Sequence, residues 1–299
     1  PILNSKKDCY VYYDSPAIFD GVYKRDHFYF QIYPFVMDSL DKLTRKNLLF
    51  NGHFVSAGIF PPFDDILSVQ KDYSLGFKRN TPASGFPAYG GKGTYFNEIY
   101  LSNNGLRGKG TLDFLTCHTE SDDYMFFPDS MRTIARTVEI KTQEKGTEYP
   151  PVVAENVDIR WLPYKDRMEM RSRNKPFDMF KGQATLEGML AMEPTGLTGS
   201  GKMDFNNAEL HSDLFKFKTN IIDADTSFFN LKGIDSKDFT FKTTNVNSHI
   251  DFTKRTGEFR SNGEASFVEF PQNQYICFMD QFTWFMDKEE IEMSASSKA

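Results

Sequence analysis

The sequence predicts an all-β protein made of repeated antiparallel strand blocks, stacked as a β-solenoid or an elongated sandwich. Three observations lead there. Residues 93–141 return, without a gap, at 184–232, so one structural block is used twice. Thirty Phe and fourteen Tyr favour a pleated surface, on which aromatic side chains pack well. Apolar and polar residues alternate through most of the chain, between dense turn signals.

The strongest part of the repeat sets Gly105-Leu106-Arg107-Gly108-Lys109-Gly110-Thr111-Leu112-Asp113-Phe114 against Gly196-Leu197-Thr198-Gly199-Ser200-Gly201-Lys202-Met203-Asp204-Phe205. It continues with Ser121-Asp122 on Ser212-Asp213, Tyr124 on Phe215, Phe126 on Phe217 and Ile140-Lys141 on Leu231-Lys232. Turn glycines and apolar residues return while most polar ones change. That is the signature of a shared backbone, and the register it preserves implies shared strand lengths.

Taken in order, residues 1–80 read as an N-terminal β unit. Phe28 to Tyr33 alternates up to Pro34, and Leu48 to Val55 leads to the Pro61-Pro62 break. Met37 to Asn47 carries Leu40 and Leu43 at helical spacing, although Phe35 to Asp41 reads equally as a strand end. Asp20-Gly21, Asn51-Gly52, Asn104-Gly105 and Asn262-Gly263 are expected turns, each pair tolerating positive φ. The Gly/Pro-rich stretch Thr81 to Gly93 precedes the first repeat, 93–141. Polar Gln143 to Pro151 opens an insertion over 142–181, and the second repeat follows at 184–232. A degenerate third unit is read over 246–293, with Gly263 to Phe270 alternating and two strands joined near Asp280-Gln281. The stretch Phe278 to Met293 is expected at an exposed edge, and the whole reads as one continuous β-rich body.

Charge and cysteines narrow the function classes. The net charge is −6 with acids and bases interspersed, so no basic stripe points to nucleic acid. The acidic run Asp287-Lys288-Glu289-Glu290 is a solvated face. No apolar stretch reaches the roughly 20 residues of a membrane-spanning helix. Opening on Pro1 and closing on Ser294-Ala295-Ser296-Ser297-Lys298-Ala299, the chain reads as a piece of something longer. Cys9, Cys117 and Cys277 are far apart and in no CxxC pattern. They read as small apolar residues, outside any metal set.

Few motifs suggest chemistry. Gly196 to Lys202 satisfies GxxxxGK, yet Met203 stands where a phosphate loop needs a hydroxyl, and the alternation that follows is strand-like. The first copy keeps the three glycines and moves the lysine to Lys109, so repeat geometry explains them. His27, His53, His118, His211 and His249 form no metal or nucleophile spacing. Asp113 and Asp204 recur after the glycine turn, as do Asp122 and Asp213, which suits turn closure. Asp122-Asp123 and Asp223-Ala224-Asp225 lie in no calcium-loop pattern. No catalytic, cofactor or metal residue is assigned. Aromatics offer the best route to a ligand: Trp161 with Tyr164, in the non-repeated insertion, are the candidate stacking residues, while Trp284 reads as core.

The strands punctuated by glycine turns, Gly105 to Phe114 and Ile250-Asp251-Phe252 through Gly257-Glu258-Phe259, resemble the OstA/LptA-type β-jellyroll solenoids of Gram-negative envelopes. The wording around Asp72-Tyr73-Ser74-Leu75-Gly76-Phe77, Phe126-Phe127-Pro128-Asp129-Ser130 and Phe270-Pro271-Gln272-Asn273-Gln274-Tyr275 is similar to large, uncharacterised envelope β-repeat proteins of Bacteroidetes-type bacteria. The solenoid likeness implies an apolar groove able to hold lipid. The second likeness implies the periplasm or outer surface of a Gram-negative bacterium.

The resulting expectation is a non-enzymatic structural and interaction segment of a larger cell-envelope or secreted protein, with no cofactor. Its partners are the rest of a longer polypeptide and other proteins. The rival readings are a lipid-conducting solenoid and a carbohydrate-binding or glycan-cleaving module.

Overall fold

A computed structural model describes residues 2–37, 44, 48–233, 238–263, 267–288 and 290–294. Among them lie twenty-six β-strands and three single-turn 3₁₀ segments, and the chain is all-β with repeated antiparallel strands. The helix candidate over 37–47 falls, apart from Met37 and Thr44, outside the described residues. Met37 ends the strand Phe35–Met37. Two compact units divide the chain: 1–136 with 159–167, and 137–158 with 168–299.

In the first unit Cys9–Tyr12, Phe28–Ile32, Leu49–Ser56, Phe63–Val69, Leu75–Asn80, Gly93–Ser102, Gly105–Phe114 and Cys117–Phe126 pair as successive antiparallel neighbours. The period-two pattern explains the pairing. One face of Phe28–Ile32 carries Phe28, Phe30 and Ile32, all buried. Phe54 joins them, edge-on to Phe28 at 5.3 Å and to Phe77 at 4.9 Å. Tyr23 stacks on Phe28 at 4.0 Å, donates its hydroxyl hydrogen bond to the Phe126 carbonyl at 2.6 Å and accepts one from the Leu106 N–H at 3.1 Å. A buried phenol is tolerated only with such partners.

Asn51-Gly52 corrects an expected turn. It lies inside the strand Leu49–Ser56. A Cβ on Gly52 would stand 2.1 Å from the Gln31 carbonyl oxygen, so close strand approach, and no turn, requires the glycine. Asn104-Gly105 does turn, with Gly105 at φ 85°.

The second unit repeats the plan. Arg167–Ser172, which lies in this unit from Met168 on, and Phe177–Met179 both pair with Ala184–Glu193, which leads to Gly196–Asp204, Ala208–Phe217 and Ile221–Lys232. Register makes the correspondence definite. Gly108 faces Ile99 and Tyr124 as Gly199 faces Leu190 and Phe215. The ladder to the next strand slips between Gly108 and Gly110 in one copy and between Gly199 and Gly201 in the other, so the same β-bulge is built twice. The equivalence also reaches upstream of residue 93: Phe77↔Leu101 in the first copy matches Met168↔Met192 in the second. Part of the stretch 142–181 therefore belongs to the repeated structure, although its side chains have diverged.

Beyond the second copy, Val246–Asp251, Thr256–Ser261, Gln281–Phe285 and Glu290–Ser294 pair in sequence. Phe259 lies parallel to Phe282 at 4.5 Å, and Phe229 is 5.2 Å from Trp284. Of the C-terminal stretch expected at an edge, Gln281–Phe285 is paired on both sides. Among the described residues Glu290–Ser294 is paired on one side only.

Candidate functional site: a tyrosine-bearing sheet face

The two residues singled out for ligand stacking take different positions. Trp161 is 0% exposed. It packs edge-on against Tyr89 at 5.2 Å and beside Phe114 at 5.5 Å, and its ring edge lies over Gly93. Both ring faces are committed to the core of the first unit, so no ligand stacks there while that core is intact. Tyr164 is 58% exposed on the 3₁₀ segment Pro163–Lys165, edge-on to Tyr89 at 6.0 Å.

The exposed aromatic cluster of this unit lies instead on the solvent face of its N-terminal sheet. Alternation sends Tyr13, Phe28, Phe30 and Phe54 inward. Tyr10, Tyr12, Tyr29, Gln31 and His53 therefore point outward on neighbouring strands, with Tyr10 opposite Gln31, Tyr12 opposite Tyr29 and Gln31 opposite His53. Tyr10 and Tyr12 are 47% and 42% exposed. Their rings lie 6.1 Å apart within 8° of parallel, Tyr29 meets Tyr10 edge-on at 5.6 Å, and the Arg25 guanidinium sits 4.9 Å from the Tyr12 ring centre. The rings are thus held in a fixed array before any partner arrives.

Polar groups frame the array. Gln31 donates from Nε2 to Asp8 Oδ2 at 2.7 Å, and Arg25 donates from Nε to Asp14 Oδ2 at 2.7 Å. Asp64 Oδ1 receives the Tyr33 hydroxyl at 2.9 Å and lies 2.7 Å from His53 Nδ1. The His53 contact, helped by the Tyr33 hydroxyl, holds the Asp64 carboxyl below the usual carboxylate range, and the same bond raises the Tyr33 phenol. Arg25 similarly lowers Asp14. The array is amphipathic, and its polar rim is pre-paired.

The other candidate motifs resolve as backbone. Gly196–Asp204, which contains the GxxxxGK stretch, is a strand paired on both sides, so no helix N-terminus faces a phosphate there. Asp204 accepts a turn hydrogen bond from the Asn206 N–H at 2.9 Å and pairs with Lys232. Its counterpart Asp113 instead meets His118 at 2.5 Å. His53, His118 and His249 each face an aspartate on the adjacent strand, Asp64, Asp113 and Asp223. Among the described residues no group of three or more His, Cys, Asp or Glu side chains is placed to hold a metal. No helix among them is long and apolar enough to cross a membrane.

Sequence reasoning passed over the tyrosine face because it weighed tryptophans first. The signal was present: Tyr10 and Tyr12, then Tyr29, Gln31 and Tyr33, follow strand periodicity next to buried Phe residues. No protein-family model, curated protein or solved structure matches this chain.

Proposed function

We propose that the chain is a non-enzymatic scaffold segment of a larger cell-envelope or secreted protein, and that its N-terminal sheet is its protein-binding face. The tyrosine array carries the reading. Tyrosine brings large, rigid contact area at small entropic cost, and such rings dominate binding energetics at protein interfaces. The hydroxyls of Tyr10 and Tyr12 have no partner among the described residues, so the face also offers hydrogen bonds. The envelope setting rests on the likeness to Bacteroidetes-type β-repeat proteins.

The lipid-conducting alternative draws less support. Phe54, Phe77, Phe126, Met168, Met170, Met192 and Met203 are buried as core, where they line no open groove.

Replacing Tyr12 with a photo-crosslinking phenylalanine analogue tests the proposal in the cell that makes the protein. Discrete heavier adducts are expected at Tyr12 and not at Leu214, an exposed control in the second unit. Absence of a protein adduct at Tyr12 overturns the reading. Retention on polysaccharide resin that is lost in Tyr10→Ala/Tyr12→Ala would favour the carbohydrate module in its place.

A further inference from the structure

The repeated bulge leaves a recess at the same place in each copy, and the two recesses differ in charge. Register identifies them as equivalent: Asn80↔Glu98 and Asn97↔Gly110 in the first, Arg171↔Met189 and Gly188↔Gly201 in the second. A hydroxyl closes each in the same way. Thr81 Oγ1 accepts from the Asn97 N–H at 3.0 Å, and Ser172 Oγ accepts from the Gly188 N–H at 3.1 Å. Their volumes are alike, about 480 and 450 Å³. Glycine is required at Gly188 and Gly201 on the lining of the second, because a Cβ there would stand 2.0 or 2.3 Å from a backbone oxygen of the facing strand.

In the first recess the cations are neutralised locally. Lys109 is 2.8 Å from Asp122, and Arg136 pairs with Glu120 and Asp122. The second is lined by Arg171, Arg173 and Lys175, and among the described residues Glu187 is its one acidic one. Glu187 is taken up by Lys202 at 3.3 Å, and Lys175 by Glu155 at 2.8 Å. Among the described residues Arg171 reaches only the Met189 sulfur, at 3.3 Å, and Arg173 has no ion-pair or hydrogen-bond partner. Two guanidinium groups are therefore left with unspent donors at the wall of an open concavity.

We infer that the second recess binds a tetrahedral oxyanion, phosphate or sulfate, either free or as an ester on a saccharide. The guanidinium fork matches such oxygens in pairs. The Ser200 hydroxyl on the lining adds a donor whose counterpart in the first copy is Lys109. This site is independent of the tyrosine face.

The full chain would be titrated with inorganic phosphate at constant ionic strength, which removes simple screening, while the amide signals of Gly188, Ser200 and Gly201 are followed by NMR. Saturable shifts are expected. Arg171→Asn/Arg173→Gln should weaken binding by about tenfold or more, the scale of one lost charged hydrogen bond. Glu187→Gln should tighten it, and Lys109→Ser in the first recess should leave it unchanged. Glucose 6-phosphate binding more tightly than phosphate assigns a saccharide ester, and equal binding assigns the free anion. Shifts that do not saturate, that chloride reproduces, or that persist undiminished in Arg171→Asn/Arg173→Gln overturn the inference.

Discussion

Burial separates Cys117 from Cys9. Cys117 lies in the core, and desolvation pushes its thiol up to about 12, while Cys9 is exposed on an outer strand. Thiolate is the reactive form, so a buried neutral thiol is inert. At pH 8, iodoacetamide should label Cys9 in the native protein and Cys117 only after denaturant is added. Mass spectrometry of native Cys9→Ser checks this, and rapid labelling of Cys117 there would contradict its burial. The same contrast governs the aromatics. Trp161 and Tyr12 look equally able to hold a ligand as letters in a sequence. Strand phase puts one ring inside a unit and the other in water, and phase becomes certain only when the pairing partners are known.

At the scale of strands, the glycines are the legible feature. Gly105, Gly108 and Gly110 occupy the places of Gly196, Gly199 and Gly201, as their ungapped spacing implies, because pairing register and bulge are shared. Gly201→Ala should destabilise the protein by about 1–3 kcal/mol, since an added methyl meets the Glu187 carbonyl. Gly146→Ala, where nothing stands within 4 Å, isolates the contribution of positive φ. Urea unfolding of both variants measures the difference, and equal losses would mean that backbone conformation, with no clash, explains the bulge glycine. Asn51-Gly52 shows the limit of local reading. The dipeptide permits a turn, but Phe30 and Gln31 on the neighbouring strand require a missing side chain at that point.

Across the whole chain, each unit holds one tryptophan at its core, Trp161 in the first and Trp284 in the second. Trp284 was legible as core from its apolar neighbours, whereas Trp161 was read as a ligand residue. Trp161→Ala should cost about 3–5 kcal/mol, the range for removing a buried aromatic. Thermal unfolding followed by circular dichroism tests it, and a loss below about 1 kcal/mol would mean that the ring contributes little to packing. The upstream reach of the repeat, from Phe77 and Met168 onward, escaped sequence comparison for a related reason. Packing accepts Phe or Met at one site, so side-chain identity drifts while register stays.

The sequence by itself determined the all-β class, the repeated block and the glycine positions within it. Those features depend on period, turn chemistry and backbone sterics, which neighbouring residues carry. Tertiary structure decided which tyrosines face solvent, where Gly52 is squeezed, and which of two equivalent recesses keeps guanidinium groups with no acidic partner among the described residues. Each of those depends on residues brought together from distant strands, and their partners are set by pairing that no local pattern encodes.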